Sequence, residues 1–306
     1  MSADYAIDTE QLSKSYRTLL RRREILAVDG VSLRVARGSS FGLLGPNGAG
    51  KTTFVKMLLS VVRPTRGRAR LFGLDARTPE ARRPIGYLPE DHRFPAYFTG
   101  RAMLDFYAAL SGAGRHVRRR LIPELLERVG LERWGDVRLS KYSKGMLRRL
   151  GLAQALVHSP SLLILDEPSD GVDPVGRIRI REILRSLEER GVTVFINSHL
   201  LAEVELFCRE VAILNQGRIA LAGAVKDLTA ARGYRVAAAE VPAALALELQ
   251  SGGGGAMPDG RRVFVFPTRE AANAAIDRLR AARCLIESVE PAGSTLEEIF
   301  VRTVHG

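Results

Sequence analysis

Residues 45–53 read Gly45-Pro46-Asn47-Gly48-Ala49-Gly50-Lys51-Thr52-Thr53. This stretch fits the spacing G-x-x-x-x-G-K-[ST] of a phosphate-binding loop. The short apolar run 41–44 before it predicts a strand, and the spaced apolar residues 54–62 after it predict the buried side of a helix that ends at a proline. Strand, glycine loop and helix therefore follow one another in the order that a nucleoside triphosphate site requires.

The residue types of this loop match that chemistry. Glycines allow backbone N–H groups to approach phosphate oxygens, and the helix N-terminus adds unpaired donors and a partial positive charge. Lys51 supplies a cation for the β- and γ-phosphates, and the Thr52 hydroxyl can ligate Mg²⁺. We therefore predict that all nine residues bind nucleotide and that Lys51 also serves catalysis.

A second set of candidate residues follows two further apolar runs. Residues 162–165 are consecutive apolar residues typical of a buried parallel strand, and Asp166 and Glu167 come directly after them. Ligands bind at the carboxyl ends of such strands. We predict that Asp166 holds Mg²⁺ and that Glu167 acts as general base on the attacking water. His199, just past the apolar run 192–197, is predicted to reach a γ-phosphate.

Composition limits the class of protein. The chain has 306 residues, 46% of them hydrophobic, and two cysteines that match no metal spacing. No apolar run is long enough to span a bilayer, and residues 1–10 lack the pattern of a secretory signal, so we expect a cytoplasmic location. The net charge of +12 comes from dispersed arginines. Exposure to solvent is the first explanation for these arginines. Contact with lipid headgroups or a membrane partner is the second, and binding of nucleic acid is the last.

The remaining sequence suggests two domains. Residues 5–37 predict strands, and Tyr16 among them is either a purine-stacking aromatic or an ordinary exposed tyrosine. Helical periodicity through 91–157 predicts a helical subdomain. From about residue 223 strands and helices alternate without any chemical motif. We expect a first domain over 1–223 and a small α+β accessory domain over 224–306, whose function the sequence does not indicate.

Taken in order, these motifs resemble the ATP-binding subunit of an ABC transporter. The resemblance implies an α/β fold: a P-loop NTPase of ABC type with an antiparallel β subdomain, a helical subdomain and a small C-terminal α+β accessory domain. It also implies that Tyr16 stacks on the base and that Glu90 occupies the Q-loop, touching nucleotide and metal. Ser143 and Gly145 would form the signature, and His199 the switch. The ending S-T-L-E-E-I-F resembles that of ABC-2 type exporters, whose membrane subunit is a separate chain.

The sequence departs from the family pattern in two places. The signature is usually L-S-G-G-Q, whereas residues 142–146 read Y-S-K-G-M and retain only Ser143 and Gly145 of the phosphate-binding positions. A shifted register at Leu139-Ser140 lacks the glycine and fits less well. Glu90 stands where glutamine is usual, and a carboxylate there adds negative charge near the triphosphate. We therefore expect slower or more pH-sensitive turnover.

The resemblance implies ATP and Mg²⁺ as cofactors, a homodimer or a pairing with a paralogous ATPase, and a separate transmembrane permease. It places the chain on the inner face of the cell membrane and implies no nucleic acid. The residues Arg93, Phe94 and Tyr97 are predicted to form a cleft for a permease helix. An alternative is a soluble ABC ATPase acting on ribosomes or nucleic acid. A binding module without turnover conflicts with the presence of Glu167 and His199.

Overall fold

The computed structural model describes residues 4–17, 24–231, 233–249, 254–256 and 261–305. Three consecutive arginines at positions 21–23, the densest basic stretch near the N-terminus, lie outside these ranges. The chain divides into two compact units, Met1–Val225 with Phe300–Gly306, and Lys226–Ile299.

The first unit contains an antiparallel sheet with the strand order β2-β1-β4-β5. Its strands are β1 (Tyr5–Arg17), β2 (Glu24–Ala36), β4 (Arg66–Leu71) and β5 (Leu74–Asp75). β1 and β2 pair with several register irregularities, and β1 pairs with β4 on its other edge. Their buried apolar side chains, such as Ile7, Val28 and Val35, join a core shared with the second sheet of this unit.

The second sheet has the order β10-β9-β3-β8-β7-β6 and carries the sequence motifs. Its strands are β3 (Ser40–Leu44), β6 (Ile85–Leu88), β7 (Leu162–Asp166), β8 (Thr193–Asn197), β9 (Glu210–Asn215) and β10 (Arg218–Ala224). All pairs are parallel except the one between β9 and the edge strand β10. Every residue of β3, β7 and β8 is buried, as expected for central parallel strands covered on both faces.

Aromatic packing anchors the strand next to the phosphate loop. The Phe195 ring, fully buried in β8, stacks on Phe41 with centroids 5.7 Å apart. Phe54, from the first turn of α1 (Lys51–Leu58), lies 6.3 Å from Phe195 on the same core. The helix that follows the phosphate loop is therefore held against β3 and β8.

Helices complete the first unit. They are α2 (Pro79–Arg82), α3 (Gly100–Leu110), α4 (Arg115–Arg128), α5 (Lys144–Ala155), α6 (Pro174–Glu189) and α7 (Leu201–Phe207). Short 3₁₀ turns at Glu132–Trp134 and Leu139–Lys141 connect α4 to α5. α3, α4 and α5 lie within the region predicted to be helical. α5 begins where the Ser143 hydroxyl accepts a hydrogen bond from the Met146 amide at 3.2 Å.

The second unit is an α+β assembly. Its antiparallel sheet has the order β12-β13-β11-β14, with β11 (Tyr234–Ala239), β12 (Gly254–Ala256), β13 (Arg262–Phe266) and β14 (Leu285–Pro291). α9 (Ala243–Leu249) and α10 (Arg269–Ala281) share a core with this sheet around Phe264 and Leu279. α8 (Val225–Leu228) and α11 (Leu296–His305) stand at the two ends of this unit in the sequence.

Candidate active site

The phosphate loop runs from the end of β3 to the start of α1. Gly50, the residue before the helix, has a φ of 106°, and a Cβ built there would lie 2.1 Å from the Ala27 carbonyl oxygen. Gly48 also has a positive φ of 81°, but the space around it is open. The loop therefore needs glycine at Gly50 both for its backbone conformation and for its close approach to β2.

Lys51 is folded back into this loop. Its Nζ donates to the carbonyl oxygens of Gly45 at 2.7 Å and Pro46 at 3.2 Å. Burial lowers the pKa of Lys51, and the carboxylates of Glu167, Asp166 and Glu90 oppose that shift. The ammonium thus holds the loop in a curved shape.

Strand order brings the other motifs to the same edge. Because β3, β8, β7 and β6 are neighbours and parallel, their carboxyl ends meet beside the loop. One cavity opens there, and most of the predicted site residues line it. Among its lining residues are Ala27, Gly45, Pro46, Asn47, Gly48, Gly50, Lys51, Thr52, Thr53, Glu90, Glu167, Asn197 and His199. Ala49 is buried beneath the loop, where its carbonyl accepts from the Gly217 amide at 3.0 Å.

Asp166 ends β7 and is 1% exposed. Asn197, at the end of β8, donates its side-chain amide to Oδ1 of Asp166, whereas Oδ2 is buried and without a hydrogen-bond partner. Burial raises the pKa of Asp166 to about 6, with the Asn197 hydrogen bond acting against it and Glu90 and Glu167 adding to it. An orphaned carboxylate oxygen beside a hydroxyl-bearing phosphate loop suits the oxygen ligands that Mg²⁺ prefers.

Glu167 follows with a backbone φ of 52°, uncommon for a residue with a side chain. Its Oε2 lies 2.8 Å from His199 Nδ1. The same oxygen accepts from the Ser198 hydroxyl at 3.1 Å and from the His199 amide at 3.3 Å. Three donors on one oxygen orient the carboxylate, so that His199 and Glu167 form a unit at the edge of the cavity.

Comparison with known proteins shows the family of this chain. The family model described as ABC transporter matches residues 28–170. An uncharacterised ABC transporter ATP-binding protein of Nostoc sp. is 45% identical over 224 residues, which cover 72% of this chain and 67% of that protein. Nod factor export ATP-binding protein I of Burkholderia thailandensis is 42% identical over 224 residues, covering 72% of each chain. The chain belongs to the ABC transporter family.

Solved structures agree on the fold of this ABC ATPase. CbiO1 of Clostridium perfringens, described as part of the ABC transporter complex cbiONQ, is 27% identical with a TM-score of 0.64, over 73% of this chain and 90% of that one. A dimeric ATP-binding cassette, MJ0796, in a post-hydrolysis state with ADP and Pi has a TM-score of 0.66 at 21% identity, over 72% of this chain and 98% of that one. The predicted fold class is confirmed.

The family assignment also confirms the predicted activity. The chain is an ATP-binding ATPase subunit of an ABC transporter, and this function is supported over that of a soluble ATPase acting on ribosomes or nucleic acid. Within the described ranges, no helix has the length and the apolar character needed to cross a bilayer.

Five predicted site residues are not among those that line the cavity. Ala49 and Asp166 are buried beside it, and Tyr16, Ser143 and Gly145 lie elsewhere. Tyr16 lies in β1, 38% exposed, with the Lys14 ammonium 5.1 Å from its ring centroid. Ser143 caps α5, and Gly145 packs so closely on the Gly171 carbonyl that a Cβ would lie 3.2 Å from its oxygen. Base stacking by Tyr16 and phosphate contacts by the signature residues therefore stay predictions.

The two departures from the family pattern have structural counterparts. Lys144, at the first-glycine position of the signature, forms an ion pair with Asp170 at 2.8 Å. Glu90 lines the cavity, and its charge contributes to the raised pKa of Asp166. The expectation of slower or more pH-sensitive turnover stays a prediction.

Sequence reasoning missed several residues that hold the site together. Asn197 and Ser198 could have been found, because Asn197 ends the run that led to His199 and Ser198 directly follows it. Arg148 carries no such signal: its partners include backbone carbonyls, which any sequence provides.

Proposed function

We propose that this ATPase is the motor of a two-component exporter, in which Glu167 activates the water that attacks the γ-phosphate of ATP. The observation that carries this proposal is the carboxylate of Glu167, fixed by His199 and Ser198 beside the loop that holds Lys51. A base needs a defined position near its proton as well as a suitable charge. The three donors on Oε2 supply that position.

Other residues in and beside the cavity have roles in this chemistry. Lys51 exchanges the carbonyls of Gly45 and Pro46 for the β- and γ-phosphates. His199 lines the cavity beside Glu167 and would contact the γ-phosphate. The Thr52 hydroxyl and the free oxygen of Asp166 would hold Mg²⁺, with Glu90 nearby. When bound, Mg²⁺ neutralises charge on the phosphate oxygens.

The second element of the proposal is a dimer. Ser143 and Gly145 are not among the residues that line the cavity of their own chain. We propose that they close the cavity of a second copy, or of a paralogous ATPase. Ser143 already begins a helix whose N-terminus can receive a phosphate. The dimeric cassette described above has the same fold.

The third element is the membrane partner. The Nod factor export protein is named as the ATP-binding protein of an exporter, and CbiO1 is described as part of a transporter complex. We propose a separate permease, which would hold this chain at the inner face of the cell membrane. Arg93 and Tyr97 are strongly exposed, whereas Phe94 packs on His92 and Tyr107. The polar and aromatic rim of this segment suits a helix of the permease.

The test compares Glu167→Gln with the parent chain. We expect ATP affinity to stay within about threefold and hydrolysis to fall roughly 10²–10⁴-fold, the usual worth of a positioned base. With hydrolysis blocked, ATP should convert the variant to a dimer in light scattering. Ser143→Arg in the same background should prevent this through added bulk and charge. Hydrolysis at the parent rate would refute the role of Glu167, and a dimer unaffected by Ser143→Arg would refute closure by the signature.

A further inference from the structure

Arg148 links the signature helix, which is α5 with Ser143 at its N-terminus, to the ends of two strands. It lies in α5 and is 3% exposed. Its Nη1 donates to the carbonyls of Pro89 at 2.7 Å and Glu90 at 2.9 Å, just after β6. Its Nε donates to the Glu167 carbonyl at 3.0 Å, just after β7. Nη2 donates to the carbonyls of both Asp166 and Glu167.

The choice of arginine follows from this geometry. Its acceptors lie on two separate backbone segments, and only a planar guanidinium presents five donors in a rigid fork that can reach both. Burial lowers the pKa of Arg148, while Asp166, Asp170, Glu167 and Glu90 act in the opposite direction. The guanidinium remains charged because arginine keeps its proton in proteins. Lysine would keep the charge but concentrate its donors at one point.

His92 adds a second link between the same elements. Its Nε2 lies 2.9 Å from the Leu147 carbonyl, which can only accept, so Nε2 carries the proton. Burial lowers the pKa of His92, which favours the neutral ring. Nδ1 is then an acceptor, 3.3 Å from Nη1 of Arg148. Gly151 in α5 leaves room for this ring, since a Cβ there would lie 2.9 Å from Nε2.

The backbone of Glu167 needs this support. A residue with a side chain at a φ of 52° is strained, and such strain persists only where the surroundings hold it. On one side, the Glu167 amide donates to the Asn197 carbonyl at 2.8 Å. On the other side, the Glu167 carbonyl accepts from Arg148. The conformation that aims the carboxylate at the cavity therefore depends on a residue of the helical region.

We propose that Arg148 is a positioning residue that couples the signature helix to Glu90 and to the catalytic Glu167. It is not among the residues that line the cavity. When α5 docks on the strand ends, the guanidinium fixes the backbone at residues 90 and 167 together. When α5 moves, both backbone segments lose the same support. This inference rests on the proposed role of Glu167 as base, and it adds a reason why hydrolysis depends on the position of the signature helix.

The experiment is a double-mutant cycle on the full chain. Arg148→Lys in the parent background should lower kcat about 10–100-fold, the effect of losing one charge-assisted hydrogen bond, with the Kd for ATP within about threefold. In the Glu167→Gln background the same substitution should change the residual rate less than about threefold, because the carboxylate that it positions at residue 167 is already absent and only its support of the Glu90 backbone remains to be lost. A purely structural role would lower both rates by the same factor.

Arg149→Lys is the matched control. Arg149 neighbours Arg148 on α5 and donates to the Val129 carbonyl at 2.8 Å, away from the strand ends. The kcat of Arg149→Lys should stay within about threefold of the parent value. Thermal melting checks that each variant folds. If Arg148→Lys does not fold, His92→Phe tests the same coupling through the weaker link, with an expected loss of about three- to tenfold in the parent background only.

Three results would overturn the proposal. They are an equal factor in both backgrounds, an unchanged kcat in Arg148→Lys, or a loss confined to ATP affinity. A parent-like rate in Glu167→Gln alone would instead refute the role of Glu167 as base, so the two failures are distinguishable. A loss in Arg149→Lys as large as that in Arg148→Lys would show that the helix as a whole, rather than this guanidinium, is responsible.

Discussion

The buried carboxyl of Asp166 predicts an unusual dependence of stability on pH. Without metal or nucleotide, burial raises its pKa from the ordinary 3.8 to about 6. The native state then binds more protons than the unfolded state between these two values. Stability is therefore highest below this window and falls as pH rises through it. At about 1.4 kcal/mol per unit, the whole shift costs about 3 kcal/mol, and roughly half of that is lost between pH 5 and 7.5.

The assay is urea unfolding in EDTA, followed by fluorescence of Trp134. This is the single tryptophan of the chain and lies in the first unit, as Asp166 does. The free energy of unfolding of the parent is subtracted from that of Asp166→Asn at each pH, so that other titrating groups cancel. The difference should grow by about 1–2 kcal/mol from pH 5 to pH 7.5.

The control is Asp136→Asn. Asp136 is largely exposed, and its hydrogen bond with Arg101 lowers its pKa. Its contribution to stability is therefore lost only as the pH falls below the range from 5 to 7.5. The difference in free energy of unfolding between Asp136→Asn and the parent should not change between pH 5 and 7.5. Mg²⁺ with ADP should also remove the pH dependence for Asp166, since a bound cation favours the ionised carboxylate. A difference for Asp166→Asn that stays constant with pH in EDTA would refute the reasoning.

Two further predictions concern the phosphate loop and the surface for the permease. Gly50→Ala should destabilise the nucleotide-free protein by about 1–3 kcal/mol more than Gly48→Ala, because both require a left-handed residue but only the first meets the Ala27 carbonyl. Chemical unfolding measures both, and equal losses would contradict the steric argument. Replacing Arg93 and Tyr97 together with alanine should change stability by less than about 0.5 kcal/mol and leave the Kd for ATP unchanged. The amount of permease that co-purifies with the variant should nevertheless fall. An unchanged amount would exclude this surface as the contact with the permease.

The elements that carry the site could be predicted because their signals are local. The run 162–165 is apolar throughout and the run 192–197 is mostly apolar, and the structure has them in the fully buried strands β7 and β8. The glycine loop lies between β3 and α1, as its spacing indicated. The helical periodicity in 91–157 corresponds to α3, α4 and α5. In each case neighbouring residues alone determine the pattern, so no knowledge of distant contacts was needed.

The candidate site was predictable in its residue types but not in its connections. The order β3-β8-β7-β6 places Asn197 beside Asp166 although 31 positions separate them, and this order is a property of the whole sheet. The raised pKa of Asp166 likewise comes from burial, which depends on everything packed around it. Neither the strand order nor the burial of Asp166 can be derived from the local sequence.

The sequence by itself therefore determined the chemistry: a phosphate loop with Lys51, two acids after a buried strand, and a histidine after the next. Only the tertiary structure decided how that chemistry is held. It gave Glu167 its three donors, left one oxygen of Asp166 free, and made Arg148 the link from the signature helix to the strand ends. The physical reason is that side-chain identity is written in the chain, whereas donors, acceptors and burial arise between segments that only folding brings together.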